Sequence, residues 1–460
     1  SSLSNVGYQT GDYTFQANHG KIQPADQDIY VSAAGSDTNS GLTPEEPLQT
    51  IAYALNKIYP DSSGQRNTIH LAAGTYAPSI TGEKFPLNMR GYIILEGEHR
   101  DSVILDAEEK SNILKGSNLT CNYDIKNISL VNGNDRNIGI MNLYKNNDSV
   151  RLENLYFSNG RAKASSALNA HSCNVLMLYQ CRFDSNFNAR ALRLHSSNFG
   201  EESTYSADTA YVIKNDIHHN YQINPDPWEA SGGGAIIYGS FLTPDSSTCY
   251  IINSKITNNT NLSHPPYMSS IGLGVTQGAK VFLVNSTVGN NVVTTSPLAA
   301  GVGVTYHSKL FIYNSIIHGN DPWQVYVASD QPSENCQLEI YHSLLQGGEE
   351  NIHIFEPSWH EVYYDSSNIA KDPLWSGMEP YPFSLSYGSP CINTGTLDLP
   401  PEIELPETDL AGNPRIWDGQ IDMGAYEYGP WVGVDYRPPA PPAPQISAAP
   451  NPFFQETTIT

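Results

Sequence analysis

The densest group of acidic, basic and metal-binding side chains lies in one short stretch: Asp184, Arg190, Arg193 and His195, then Lys214, Asp216, His218 and His219. A lysine or arginine here could act as the base that removes the proton beside a uronate carboxylate. A cation such as Ca²⁺, held by Asp184 and Asp216, could neutralise that carboxylate. Asp216 and His218 are two residues apart, so on a strand they project from one face. If successive segments stack, Asp184 comes within a few strand spacings of them. Lys214, Asp216, His218, Arg190 and Arg193 are therefore the candidate catalytic set of a Ca²⁺-dependent polysaccharide lyase. The same residues also fit solvated polar faces of ordinary strands, which is the preferred reading. Asp37, in Asp37-Thr38-Asn39-Ser40-Gly41, is a further cation candidate, but the segment lacks the acidic residue that closes an EF-hand loop. Gly232-Gly233-Gly234 is not followed by Lys-Ser/Thr and reads as a turn, not a phosphate loop.

The elements that must position these groups repeat. An apolar run, a polar residue and another apolar residue recur at Asn127, Asn154, Gln180, Lys214, Asn253, Asn285, Asn314 and His342, with offsets of 27, 26, 34, 39, 32, 29 and 28. The units carry period-two, β-branched stretches punctuated by Asn or Gly, so each reads as strands joined by tight turns. One such coil cannot bury its own apolar side chains, but stacked coils enclose a common core. Asn suits the corners because it tolerates left-handed backbone. A second polar position follows at Asn132, Asn159, Asn186, Asn220, Asn259, Asn291 and Asn320, read as a second turn column. The expected fold is all-β: a right-handed parallel β-helix with a short N-terminal capping helix and a C-terminal cap.

The sequence divides into an N-terminal arm (1–28), a strand and capping helix (29–66), the β-helix (67–371), a C-terminal cap (372–429), a Pro-rich linker (430–445) and a terminal segment (446–460). Leu48, Ile51, Ala52, Leu55 and Ile58 fall on one helical face. Asp409, Gly412, Asn413, Arg415, Asp422, Gly424 and Glu427 are expected to fix turns and ion pairs that close the last coil.

A solenoid escapes the size limit of a single compact core, so 460 residues are compatible with one long domain. The net charge of −23 argues against nucleic acid, anionic lipid or bare polyanionic glycan as partners. No run of about 18 apolar residues is present, and no basic-then-apolar leader opens the chain, so a mature chain without a transmembrane segment is expected. The six cysteines lack Cys-x-x-Cys or zinc-like spacing, and buried thiols fit them as well as disulfides do.

Two regions resemble known families. The words Tyr-Val-Ser, Gly-Ser-Asp, Ser-Gly and Thr-Ile between residues 30 and 54, with Ala-Gly-Thr-Tyr at 73–76, resemble the start of secreted bacterial β-helix proteins of the pectate-lyase-like superfamily. That resemblance implies fold more than activity. The adjacent Asp pair and Gly-His-Gly word of polygalacturonase-like β-helices are absent from the sequence. Residues 372–396 and 408–428 look like the C-terminal cap of surface β-helix proteins. Ala-Pro-Asn-Pro-Phe at 449–453, with Glu-Thr-Thr-Ile at 456–459, resembles the opening strand of the sorting domain of the type IX secretion system of Bacteroidota, cut short. Asp-Ser/Thr-apolar triplets at Ser102, Ser149 and Thr209 resemble the O-glycosylation acceptor of those bacteria. These resemblances imply a secreted or cell-surface protein with a structural, adhesive or glycan-binding role. Its partners would be extracellular glycan or copies of itself joined head to tail through residues 1–28 or 446–460.

Overall fold

The computed structural model describes residues 7–10, 13–16, 22, 24–60, 66–119, 122–195, 209–222, 233–240, 247–262, 270–294, 300–429, 448–450 and 457–459. Its body is a right-handed parallel β-helix, the handedness expected of parallel crossovers. Each coil visits three sheets. Sheet I includes 123–126, 209–213, 248–252, 280–284 and 309–313. Sheet II has ten strands, from 74–76 through 182–184, 216–218 and 255–257 to 344–345. Sheet III includes 190–195, 235–238, 270–276, 300–305 and 323–328. Parallel pairing keeps each side chain above its counterpart one coil away, so a residue type repeated in sequence becomes a column in space.

All eight residues of the first column, from Asn127 to His342, lie at the corner between sheets I and II with φ between +44° and +59°. Five are Asn, which adopts left-handed backbone more readily than most residues. The second expected column resolves into two. Asn132 and Asn159 occupy a left-handed corner position together with Ser185, His219, Asn258 and Asn290. Asn186, Asn220, Asn259, Asn291 and Asn320 stand one residue later and turn inward, essentially without solvent exposure. Each amide Nδ2 in this second group donates to the Oδ1 of the next at 2.9 Å, and Asn320 closes the series on Gln324 Oε1. All five also accept through Oδ1 from a backbone N–H one coil before, Asn186 from Gly160 and each of the others from the preceding asparagine of the ladder. A buried amide is tolerated only with its hydrogen bonds made, and here the stacking makes them. A parallel ladder of Asn215, Ser254, Ser286, Ser315 and Ser343 lines the other corner.

The core is filled by columns such as Phe157 on Phe183, with ring centroids 4.6 Å apart, and Val212, Ile251, Leu283 and Ile312 in register. A helix at Ile51–Lys57 presses Ile51, Ala54 and Leu55 onto the start of the solenoid. Its first N–H groups are received by the buried Glu83 carboxylate, at 2.7 Å from Ile51 and 3.0 Å from Ala52. Ala54 takes the core position that the sequence pattern assigned to Ala52, which is only half-buried.

The segment 372–429, expected as a cap on the last coil, runs along the corner column of the coils. Arg415 Nη1 donates to Asn253 Oδ1 at 2.9 Å, Asn285 Nδ2 to the Asp422 carbonyl at 3.0 Å, and Asn314 Nδ2 to the Thr396 carbonyl at 2.8 Å. At the centre of this strap, Arg415 Nη2 pairs with Glu427 at 2.7 Å with both side chains buried. Asp409 receives the N–H groups of Ala411, Asn413 and Glu427. The expected turn and ion-pair roles fit, but their location is the flank of the solenoid.

Of the two arms, residues 7–10 and 13–16 pair antiparallel with each other, as do 448–450 and 457–459. Ala25 forms a parallel bridge with Ile58; the linker at 430–445 and residues 1–6, 11–12, 17–21, 23, 446–447, 451–456 and 460 of the arms lie outside the described residues.

Candidate functional site

The 184–219 cluster is divided among three places. Asp184, Asp216 and His218 stand on the outer face of sheet II, where Asp184 pairs in register with His218, and Arg182 with Asp216. His218 Nδ1 is 3.6 Å from Asp184 Oδ1, and His218 Nε2 is 3.5 Å from Asp216 Oδ2. Lys255, on the next strand, reaches Asp216 Oδ2 at 3.2 Å. Burial depresses the His218 pKa against the opposing pull of Asp216. His219 follows at the corner and is exposed, with its Nδ1 2.7 Å from His218 Nδ1.

Lys214 occupies the preceding corner, beneath the strap. Its Nζ donates to Thr408 Oγ1 at 2.6 Å, and the side chain is 5% exposed. Desolvation lowers its pKa, with Asp409 opposing. It projects from the corner column and not from the strand face that carries Asp216 and His218. Arg190 and Arg193 belong to sheet III, where their guanidinium carbons lie 5.7 and 5.1 Å from the Tyr238 ring centroid. Base, arginines and carboxylates therefore do not share one groove. Asp37, the other cation candidate, binds protein groups: Oδ1 accepts from the N–H groups of Gln49 and Thr50, and Oδ2 from Thr50 Oγ1. Ser102, Ser149 and Thr209 are each partly exposed, at a turn, within a strand and at a strand start respectively.

A different surface of sheet III carries a recess. Ile236, Gly274, Gly303 and Tyr326 form one column, and Tyr238, Thr276, Thr305 and Ala328 form the column two residues on. The two glycines leave a recess of about 160 Å³. Its walls are Ile236 and Tyr238 on one side and Tyr306 and Tyr326 on the other, and Ser270, Thr276, Gln277 and Thr305 supply hydroxyls and an amide. Along the sheet its walls stand three strand spacings apart, ~14 Å. Neither glycine needs a left-handed backbone, and a Cβ at Gly274 or Gly303 would meet Ser270 at 2.7 or 2.9 Å. Glycine weakens a strand interior, and its use here fits the close approach of Ser270, whose side chain lies over both positions. Thr305 Oγ1 donates to Thr276 Oγ1 at 2.8 Å, fixing the floor. The available signal in the sequence is the word Gly-x-Gly-Val, at 272–275 and again at 301–304. Gly272 and Gly301 serve the interior, where a Cβ would strike Asn291 or Asn320.

A family model described as "Protein of unknown function (DUF1565)" matches residues 33–172. No curated protein matches the chain in sequence. Among solved structures the chain is similar to pectate lyase Pel9A, with 13% identity, 88% of this chain and 98% of that chain covered, and a TM-score of 0.43. It is also similar to pectin methylesterase PemA from Erwinia chrysanthemi, with 9% identity, 73% and 94% coverage and a TM-score of 0.35. A third is the mannuronan C-5 epimerase AlgE6 A-module of Azotobacter vinelandii, with 12% identity, 70% and 95% coverage and a TM-score of 0.33. Among the described residues no helix is long and apolar enough to cross a membrane.

Proposed function

We propose that this protein is an extracellular or surface-displayed β-helix that binds neutral glycan, without catalysis, in the recess over Gly274 and Gly303. The observation that carries the reading is the lining: tyrosine rings flank hydroxyl and amide groups, and no carboxylate, imidazole or amine is among the lining residues. Aromatic rings cover the apolar face of a sugar ring while hydroxyls and amides exchange hydrogen bonds with its substituents. A volume below the roughly 300–1,000 Å³ of drug-sized pockets suits one sugar unit of a longer chain lying across the sheet. The net charge of −23 disfavours polyanionic chains. Surface display rests on the sorting-domain resemblance at 449–459. Glycosylation at Ser102, Ser149 and Thr209, and head-to-tail assembly through the arms, belong to the same reading.

The Ca²⁺-dependent lyase has weaker support, because Lys214 is engaged by Thr408 and the arginines stand on another sheet. The test is binding to a panel of neutral and uronate-containing oligosaccharides by calorimetry, with Gly274→Val to fill the recess and Tyr238→Ala to remove a wall. The expected result is neutral-glycan binding that both variants lose while circular dichroism stays unchanged. Absence of neutral-glycan binding, binding that survives Gly274→Val, or release of unsaturated uronate products would overturn it.

A further inference from the structure

His219 breaks the pattern of its own corner. The equivalent left-handed positions on neighbouring coils hold Asn159, Ser185, Asn258 and Asn290, yet here an imidazole sits at φ +48° with its ring exposed. Its Nδ1 faces His218 Nδ1 at 2.7 Å, and His218 Nδ1 faces Asp184 Oδ1 at 3.6 Å; one ligand atom from each of the three residues lies within 4.8 Å of the others. Tetrahedral coordination at the usual zinc bond lengths separates ligand atoms by about 3.4 Å, between those two observed separations. The surroundings orient the donors. Asp216 stands at Nε2 of His218, 3.5 Å away, which favours the tautomer protonated there and leaves the Nδ1 lone pair turned toward Asp184 and His219. Asp184 is held by Tyr156 Oη at 3.1 Å and Ser185 Oγ at 3.0 Å.

We propose that Asp184, His218 and His219 form a binding site for a divalent transition-metal ion of the zinc class on the outer face of sheet II, separate from the glycan recess. Two imidazoles and one carboxylate favour zinc or its neighbours over Ca²⁺, which takes an all-oxygen shell. Three protein ligands leave at least one coordination position facing solvent, open to water or to a donor from another molecule. The site needs neither Lys214 nor the arginines of sheet III.

Tag-free full-length protein at pH 7.5 should be titrated with Co²⁺, following its visible absorption, and then challenged with Zn²⁺ and with Ca²⁺. One equivalent of Co²⁺ in a tetrahedral-type spectrum, displaced by Zn²⁺ and not by Ca²⁺, is the expected result. His219→Asn restores the residue type common at this corner and so spares the fold. It should weaken Co²⁺ binding by more than about 100-fold, since even changes outside the ligand set give roughly 10–100-fold. Asp216→Asn, which changes only the group behind His218, should weaken it about 10-fold. Wild-type affinity no greater than that of His219→Asn, or displacement of Co²⁺ by Ca²⁺, overturns the proposal.

Discussion

Replacing Asn259 by alanine tests whether the buried amide ladder holds the coils in register. The Asn259 side chain makes four hydrogen bonds. Its Oδ1 accepts from Asn220 N at 3.1 Å and Asn220 Nδ2 at 2.9 Å, and its Nδ2 donates to Asn291 Oδ1 at 2.9 Å and to the Ile217 carbonyl at 3.1 Å. At about 1 kcal/mol net for each bond the loss is ~4 kcal/mol, and the Asn220 N–H left without a partner in a dry interior keeps it from being smaller. Asn258→Ala is the control one residue away. Asn258 supplies left-handed backbone at φ +55°, and alanine there costs about 1–2 kcal/mol of backbone strain. A solenoid need not unfold in one step, so the assay is native-state hydrogen exchange resolved to peptides, supported by urea melts. Asn259→Ala should raise exchange in the coils around 217–222 and 256–261, well beyond the effect of Asn258→Ala. Equal effects of the two substitutions, or a loss below about 1 kcal/mol at Asn259, would refute the view that the ladder stabilises the stack.

Arg415→Met leaves Glu427 buried without its cation, for a loss of about 3–5 kcal/mol; limited proteolysis should then release fragments within 372–429 while the coils stay protected. His171, stacked on His195 with the Tyr144 ring tilted against its other side, has its pKa lowered by burial to about 4. The unfolded chain therefore binds the proton first, and the stability that His171 contributes is complete above about pH 6.5 and lost as pH falls toward 4. The thermal midpoint should drop across that window, and His171→Gln should flatten the drop. Lys214→Asn restores the corner's usual residue and exchanges one bond to Thr408 for relief of a desolvated cation, so melts should move by less than ~1 kcal/mol; a uronate-elimination activity present in the unsubstituted protein and lost in this variant would revive the lyase reading.

The sequence by itself determined the coil. Eight polar residues at spacings of 26 to 39 all proved to be left-handed corners on one edge, because a stacked repeat converts sequence period directly into spatial register. It did not separate the two adjacent columns that contain Asn159 and Asn186: both are asparagines near one turn, and only the backbone direction tells a corner from an inward ladder. Nor could it place the chemistry. Lys214, Asp216 and Arg193 are close in sequence, but a corner, a strand of sheet II and a strand of sheet III point to different surroundings. The covering of Lys214 by Thr408 depends on a strap 194 residues further along the chain. The recess arises because Gly274 and Gly303 fall in register on adjacent strands, and the His218–His219–Asp184 group because two coils bring Asp184 beside His218. Corners are local properties repeated along the chain; sites are meetings between coils, and loop lengths and the returning C-terminal strap decide which side chains meet.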